Sequence, residues 1–171
     1  VLQWGKPQPN VPPLVMVHGW MDVGASYQFV VDAMATDRWV IAPDWRGFGL
    51  TPSGGTDCFW FPDYLADLDA MLDHFSPDAP VDLVGHSMGG NIAMMYAGVR
   101  PQRVRRLINL EGFGLPASRP AQAPGRLAQW LDEIKALHAG DKALRQYASA
   151  DDVARRLMKT NPRLPADKAL W

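Results

Sequence analysis

Val81-Asp-Leu-Val-Gly-His-Ser-Met-Gly-Gly-Asn-Ile-Ala (81–93) decides how this chain is read. Val81 to Val84 is a short run of strand formers, and residues 88–99 are mostly small or apolar, as in a largely buried helix. Between them stands Gly85-His-Ser-Met-Gly89, a G-x-S-x-G run. A strand that turns into a helix this sharply is strained and needs small flanking residues, which Gly85 and Gly89 supply. Such a turn lifts the Ser87 hydroxyl above the carboxyl end of a sheet. It also sets that hydroxyl at the amino end of a helix, where the helix dipole favours developing negative charge. Ser87 is therefore the candidate nucleophile.

Upstream and downstream of this run, strand and helix signals alternate. Leu14-Val-Met-Val17 is apolar on both faces, as in a buried parallel strand. Ser26 to Ala35 reads as a helix with Phe29, Val30, Ala33 and Met34 on one face. Trp39-Val-Ile-Ala42 is a second buried strand, and residues 44–59 have no period and read as a loop. Pro62 suits the first turn of a helix carrying Leu65, Leu68, Met71, Leu72 and Phe75 at helical spacing. Val104 to Leu110 is the fourth strand of a β-α-β-α-β-α-β series, and Val1 to Trp4 reads as the tail of an earlier one. The crossovers are long enough for parallel strands, so the expected class is α/β with helices flanking a mostly parallel sheet.

The character changes after Gly114. Residues 115–125 are rich in Pro and Ala and read as a linker. Leu127, Trp130, Leu131, Ile134 and Leu137 then share one helix face. Ser149 with Asp152 has the spacing of a capping box before Val153, Leu157 and Met158. Pro165 opens a third helix. The expected organisation is a core over 1–114 and a linker with helical segments over 115–171.

The 171 residues are 47% hydrophobic and 20% charged, with a formal net charge of −1, which suits a globular domain with a real core. Lys and Arg form no basic stripe, so no nucleic-acid partner is expected. No apolar run approaches the roughly 20 residues needed to span a bilayer, so no membrane partner is expected either. A single cysteine, Cys58, excludes an internal disulfide framework, and a cytoplasmic setting is expected.

Two further motifs fix the chemistry. His18-Gly-Trp20 follows the first buried strand, where attack on a carbonyl calls for a backbone N–H aimed at the oxyanion. Trp20 N–H is one donor, and Met88 N–H, next to the nucleophile, is the other. His18 itself reads as a structural histidine of that loop. Asp44-Trp-Arg-Gly-Phe-Gly49 follows the next strand.

With HGW, DWRGFG and GHSMGG in this order, the chain resembles the α/β-hydrolase superfamily. Its likeness is to the cap-bearing branch of esterases, epoxide hydrolases and haloalkane dehalogenases, and especially to its serine-hydrolase-like members. The resemblance covers residues 1–115 closely and the following helical segment, the start of a cap, more loosely. It implies an α/β-hydrolase fold in which the D-x-R-G-x-G loop is architectural, so Asp44 and Arg46 stand outside the catalytic set. Epoxide hydrolases and haloalkane dehalogenases use Asp at the elbow; Ser87 favours an acyl-enzyme on an ester, thioester or amide.

Glu111 ends the fourth strand in Asn109-Leu-Glu-Gly-Phe-Gly114. Some members of the resembled branch place the triad acid here, and others after the next strand, which lies beyond residue 171. The family order of Ser, acid and then His sets aside His18, His74 and His86; His138, the only histidine after Ser87, lies in the cap region and is the lesser alternative as base. The catalytic histidine is therefore expected beyond Trp171, in a fold that these residues contain only in part and that alone has little turnover. No metal or organic cofactor is implied. Trp20, Phe113 and the Trp and Leu residues of the cap suit a small apolar acyl substrate. Acyl transfer or perhydrolysis at the same site is the alternative within the enzymes, and a non-catalytic binding protein of this fold the alternative outside them.

Overall fold

The computed structural model describes residues 1–56, 58–114, 117, 119–140 and 146–170. It divides into two compact units, Val1–Pro116 and Ala117–Trp171. In the first unit, β1 (Leu2–Trp4), β2 (Leu14–Val17), β3 (Val40–Ala42), β4 (Val81–His86) and β5 (Val104–Leu110) form one sheet in the order β1-β3-β2-β4-β5. β1 runs antiparallel to β3, and the other pairings are parallel.

Alternation along the strands divides the core in two. Val15, Val17, Ile41 and Leu83 pack with Leu68 and Leu72 of α2 (Phe61–Phe75) and with Ile92, Ala93 and Tyr96 of α3 (Met88–Val99). On the opposite face Leu14, Met16, Val40, Ala42 and Val84 meet Tyr27, Val31 and Met34, from the segment around α1 (Gln28–Asp32). Helices therefore cover both faces, as a parallel sheet of apolar strands requires.

The chain leaves β2 to build β3 on one side, then crosses back to lay β4 on the other. Loops from the carboxyl ends of β2 and β4 consequently diverge, and open α/β sheets form their ligand crevice at such a switch.

The helix expected over 26–35 is shorter and phased differently. A 3₁₀ turn at Gly24–Tyr27 precedes α1, and the tighter winding moves the inward face to Tyr27, Val31 and Met34. Val30, expected inside, is exposed. Tyr27 is fixed by its hydroxyl, which donates to Val17 O at 2.8 Å. α3 buries Gly89, Gly90, Ile92, Ala93 and Tyr96, while Met94, Met95 and Val99 are exposed. β5 is an edge strand with Leu107, Ile108 and Leu110 exposed.

In the second unit α4 (Ala123–His138) starts inside the stretch expected as a linker, because Pro124 is tolerated in a first helical turn. Residues 115, 116 and 118 of that stretch lie outside the described residues. Leu127, Trp130, Leu131 and Leu137 of α4 are exposed. Ser149 caps α5 (Ala150–Thr160), its hydroxyl accepting Asp152 N–H at 3.2 Å. α6 (Ala166–Leu170) follows Pro165, and Trp171 lies outside the described residues. No helix among the described residues is long and apolar enough to cross a membrane.

One charged group sits inside an otherwise apolar strand. Asp82 of β4 takes Arg38 Nη2 at 2.8 Å, and Arg105 through Nε at 2.8 Å and Nη2 at 2.5 Å. Arg38 also donates to Pro12 O at 2.8 Å, so this cluster ties the amino ends of the central strands together. Burial opposes ionisation of Asp82, but hydrogen bonds from Arg105 and then Arg38 outweigh it and hold the carboxyl below its ordinary range.

Asp82→Asn should lower stability by about 2–3 kcal/mol, since it leaves two guanidinium groups without their anion. Urea unfolding at neutral pH measures the loss. A depressed carboxyl contributes stability above its unfolded pKa of 3.8, and that contribution fades as pH falls toward the folded value. The wild type should show this acid-side decline more steeply than the variant.

Candidate active site

Ser87 stands between β4 and α3 at φ 51° and ψ −117°, a conformation that a non-glycine residue holds at a cost of about 1–3 kcal/mol. The surrounding backbone fixes it. Ser87 N–H donates to Leu110 O at 2.9 Å, and its carbonyl accepts Asn91 N–H at 3.0 Å to begin the helix. Gly85 and Gly89 permit the close approach. A Cβ on Gly85 would lie 2.4 Å from Gly89 O, and one on Gly89 would lie 2.3 Å from Val17 O. No side chain fits at either place, so the turn is held by backbone packed against backbone.

Met88 opens α3, so its N–H belongs to the helix end where amides have no partner within the helix. The loop that carries Trp20 is held from beneath by His18, which is fully buried. His18 Nδ1 donates to Gly19 O at 2.8 Å, and this leaves Nε2 to accept Trp45 N–H at 3.0 Å. Trp45 Nε1 returns a bond to His18 O at 2.9 Å. Both ring nitrogens are thus committed to backbone in one neutral tautomer. Burial lowers the ring's pKa below 6.5, against the opposing effects of the Gly19 bond and of Asp22 and Asp44.

The loop after β3 completes this frame. Asp44 accepts Gly24 N–H at 2.7 Å and Leu50 N–H at 3.0 Å. Arg46 forks onto Asp67 of α2, through Nε at 2.6 Å and Nη2 at 2.5 Å. Phe48 packs edge-on against both His18 and Trp20, with ring centroids 5.5 and 5.4 Å away. Asp44 and Arg46 are engaged in holding loops.

Ser87, Met88, Trp20 and Glu111 border one cavity of about 330 Å³. Its apolar wall also includes Phe59, Phe61 and Phe113, and its remaining polar groups come from Tyr64 and Asn91. Gly85 and Gly89 are not among its lining residues. Glu111 follows β5 at φ 64°. No histidine lines the cavity among the described residues. A second depression of about 460 Å³ lies along Pro43, Arg46, Ser53 and Asp67, where the principal charges are already paired.

Four lining residues escaped the sequence. Phe59 lay in a stretch read only as a loop. Phe61 stands immediately before Pro62, ahead of the expected start of α2, although its place four residues before Leu65 continues that helix's apolar face. Asn91 sits four residues after Ser87, one helical turn on and hence on the same face, and that spacing was the signal for it. Tyr64 is buried with a hydroxyl that has no hydrogen-bond partner among the described residues.

Comparison with known proteins places this geometry. The profile of a family described as alpha/beta hydrolase fold matches residues 12–167. The chain is 25% identical to a serine hydrolase-like protein of Danio rerio, over 92% of this chain and 48% of that protein. It is 33% identical to the dihydrolipoyllysine-residue acetyltransferase component of an acetoin cleaving system from Pseudomonas putida, covering 81% of this chain and 44% of that one. Among solved structures it resembles a thioesterase domain from the curacin biosynthetic pathway. The TM-score is 0.79 at 29% identity, over 98% of this chain and 59% of that domain. The chain thus spans about half the length of these relatives.

His18→Phe keeps an aromatic ring but leaves Trp45 N–H unsatisfied, and should cost about 1–3 kcal/mol at neutral pH and above. A histidine with a lowered folded pKa loses stability as pH falls below its unfolded value of 6.5, because the unfolded chain takes the proton first. Urea unfolding between about pH 5 and pH 8 should show that decline in the wild type and a flatter profile in His18→Phe.

Proposed function

The chain belongs to the alpha/beta hydrolase fold family, and from that membership we propose that it carries the nucleophile and oxyanion hole of a serine hydrolase acting on a carboxylic ester or related acyl substrate. The observation that carries the reading is Ser87, held at positive φ at the head of α3 and opening on a cavity with apolar walls.

In this mechanism Ser87 Oγ attacks the acyl carbon while a histidine takes its proton. The carbonyl oxygen becomes an oxyanion, held by the Trp20 and Met88 N–H groups. The tetrahedral intermediate collapses, the histidine returns the proton to the leaving oxygen or sulfur, and an acyl-Ser87 ester remains. Water, deprotonated by the same histidine, releases the acid and restores Ser87. Glu111 orients the histidine and stabilises its charged form. That histidine is not supplied by the cavity lining among the described residues. A cavity of about 330 Å³ walled by Trp20, Phe59, Phe61, Met88 and Phe113 supports a small apolar acyl group.

A second reading has the same acyl-enzyme, with an alcohol, thiol or peroxide in place of water. The named acetyltransferase component among the relatives favours it.

The test uses the full-length natural protein with a fluorophosphonate probe and a short p-nitrophenyl ester. Ser87→Ala should abolish labelling and lower kcat/KM by roughly 10³-fold or more. Absence of labelling in well-folded protein would instead favour a non-catalytic binding role. Adding methanol or hydrogen peroxide separates hydrolysis from transfer, because transfer diverts the acyl group to a methyl ester or a peracid.

A further inference from the structure

We propose that Asn109 is a positioning residue that holds Glu111 at the rim of the Ser87 cavity; this rests on the reading of Glu111 as the triad acid. Asn109 uses both ends of its side-chain amide on one residue. Its Oδ1 accepts Gly112 N–H at 2.6 Å, and its Nδ2 donates to Gly112 O at 2.9 Å. Gly112 offers one donor and one acceptor, so the amide has a single productive orientation. These two bonds close a ring around Leu110 and Glu111, at the point where the β5 ladder ends. Asn109 Nδ2 also faces Met94 Sδ on α3.

The ring sits on the elbow itself. In the β4–β5 register Asn109 stands opposite Gly85, and Gly90 of α3 leaves its side chain room, since a Cβ there would fall 2.4 Å from Asn109 Oδ1. A Cβ on Gly112 would fall 2.4 Å from Asn91 N, which puts the ring against the first turn of α3. Leu110 O, inside the ring, accepts the Ser87 N–H at 2.9 Å. Leu110 is paired with His86 in the β4–β5 ladder, which holds the Ser87 bond, whereas Glu111 lies past the end of that ladder and is left to the Asn109 bonds; both residues have positive φ, at 51° and 64°. A glutamate gains nothing locally from the left-handed conformation. The Asn109 bonds fix residue 112, and so dictate how the backbone passes through Glu111.

A residue that acts only through Glu111 has no catalytic effect once Glu111 is disabled. The test is a double-mutant cycle on the full-length protein, reading kcat and KM for a short p-nitrophenyl ester. Glu111→Gln should lower kcat by roughly 10²-fold or more. Asn109→Ala should lower kcat by about 10-fold with KM little changed, and by less than about 3-fold in the Glu111→Gln background. Asn109→Asp is nearly isosteric but turns a carboxylate toward Gly112 O, and should follow Asn109→Ala. It serves in the same cycle should the alanine variant fail to fold. Wild-type kcat in Asn109→Asp, or losses that multiply fully in the double variant, would overturn the positioning role while leaving Glu111 as the acid. Wild-type kcat in Glu111→Gln would overturn the acid assignment and the positioning role with it.

Discussion

The close approach of the first turn of α3 to the ends of β2 and β4 is the constraint on which the rest of this structure depends. Gly89 lies so near Val17 O, and Gly85 so near Gly89 O, that neither position has room for a β-carbon. With both sides of the turn in backbone contact, Ser87 has no relaxed conformation to fall back to and stays at positive φ. The cost is borne by the buried faces of the sheet, which anchor β4 and α3 through Leu83, Ile92, Ala93 and Tyr96. A relaxed turn would carry the serine hydroxyl off the crevice at the switch between β2 and β4.

The loops around that crevice are held by polar groups committed to backbone. His18 joins the loop after β2 to the loop after β3 through two hydrogen bonds with Trp45, and Asp44 adds a third by accepting Gly24 N–H. Asn109 does the same work after β5. The His18 bonds are buried and fix position more firmly than exposed ones, because breaking one leaves a polar group without water or partner. Trp20, Met88 and Glu111 are thereby presented from three separate loops to one cavity.

Much of this was legible in the sequence, and the parts that were not share a cause. The apolar runs at 14–17 and 39–42 and the run at 81–84 mark buried strands, which leave little freedom in composition, whereas 104–110 is legible only from its Val, Leu and Ile strand formers, because it is an exposed edge. GHSMG between a strand and a helix fixed the turn. The helix after β2 was misphased because a 3₁₀ turn at Gly24–Tyr27 alters the period, and periodicity alone does not reveal it. Pro124, read as a linker residue, stands in the first turn of α4, where proline is at home. Asp82 within an apolar strand, the Asn109 ring and the Tyr64 hydroxyl depend on partners 23 to 44 residues away, on loop closure or on burial. None of these leaves a local pattern.

In the proposed mechanism Ser87 Oγ, Trp20 N–H and Met88 N–H converge on one reacting centre. The most direct measurement is a crystal structure of the full-length natural protein after reaction with a phosphonate ester. Phosphorus should be bonded to Ser87 Oγ, with a phosphoryl oxygen about 2.7–3.1 Å from both the Trp20 and Met88 nitrogens. Phosphorus on another residue, or a phosphoryl oxygen on Ser87 turned away from those two amides, would contradict that mechanism.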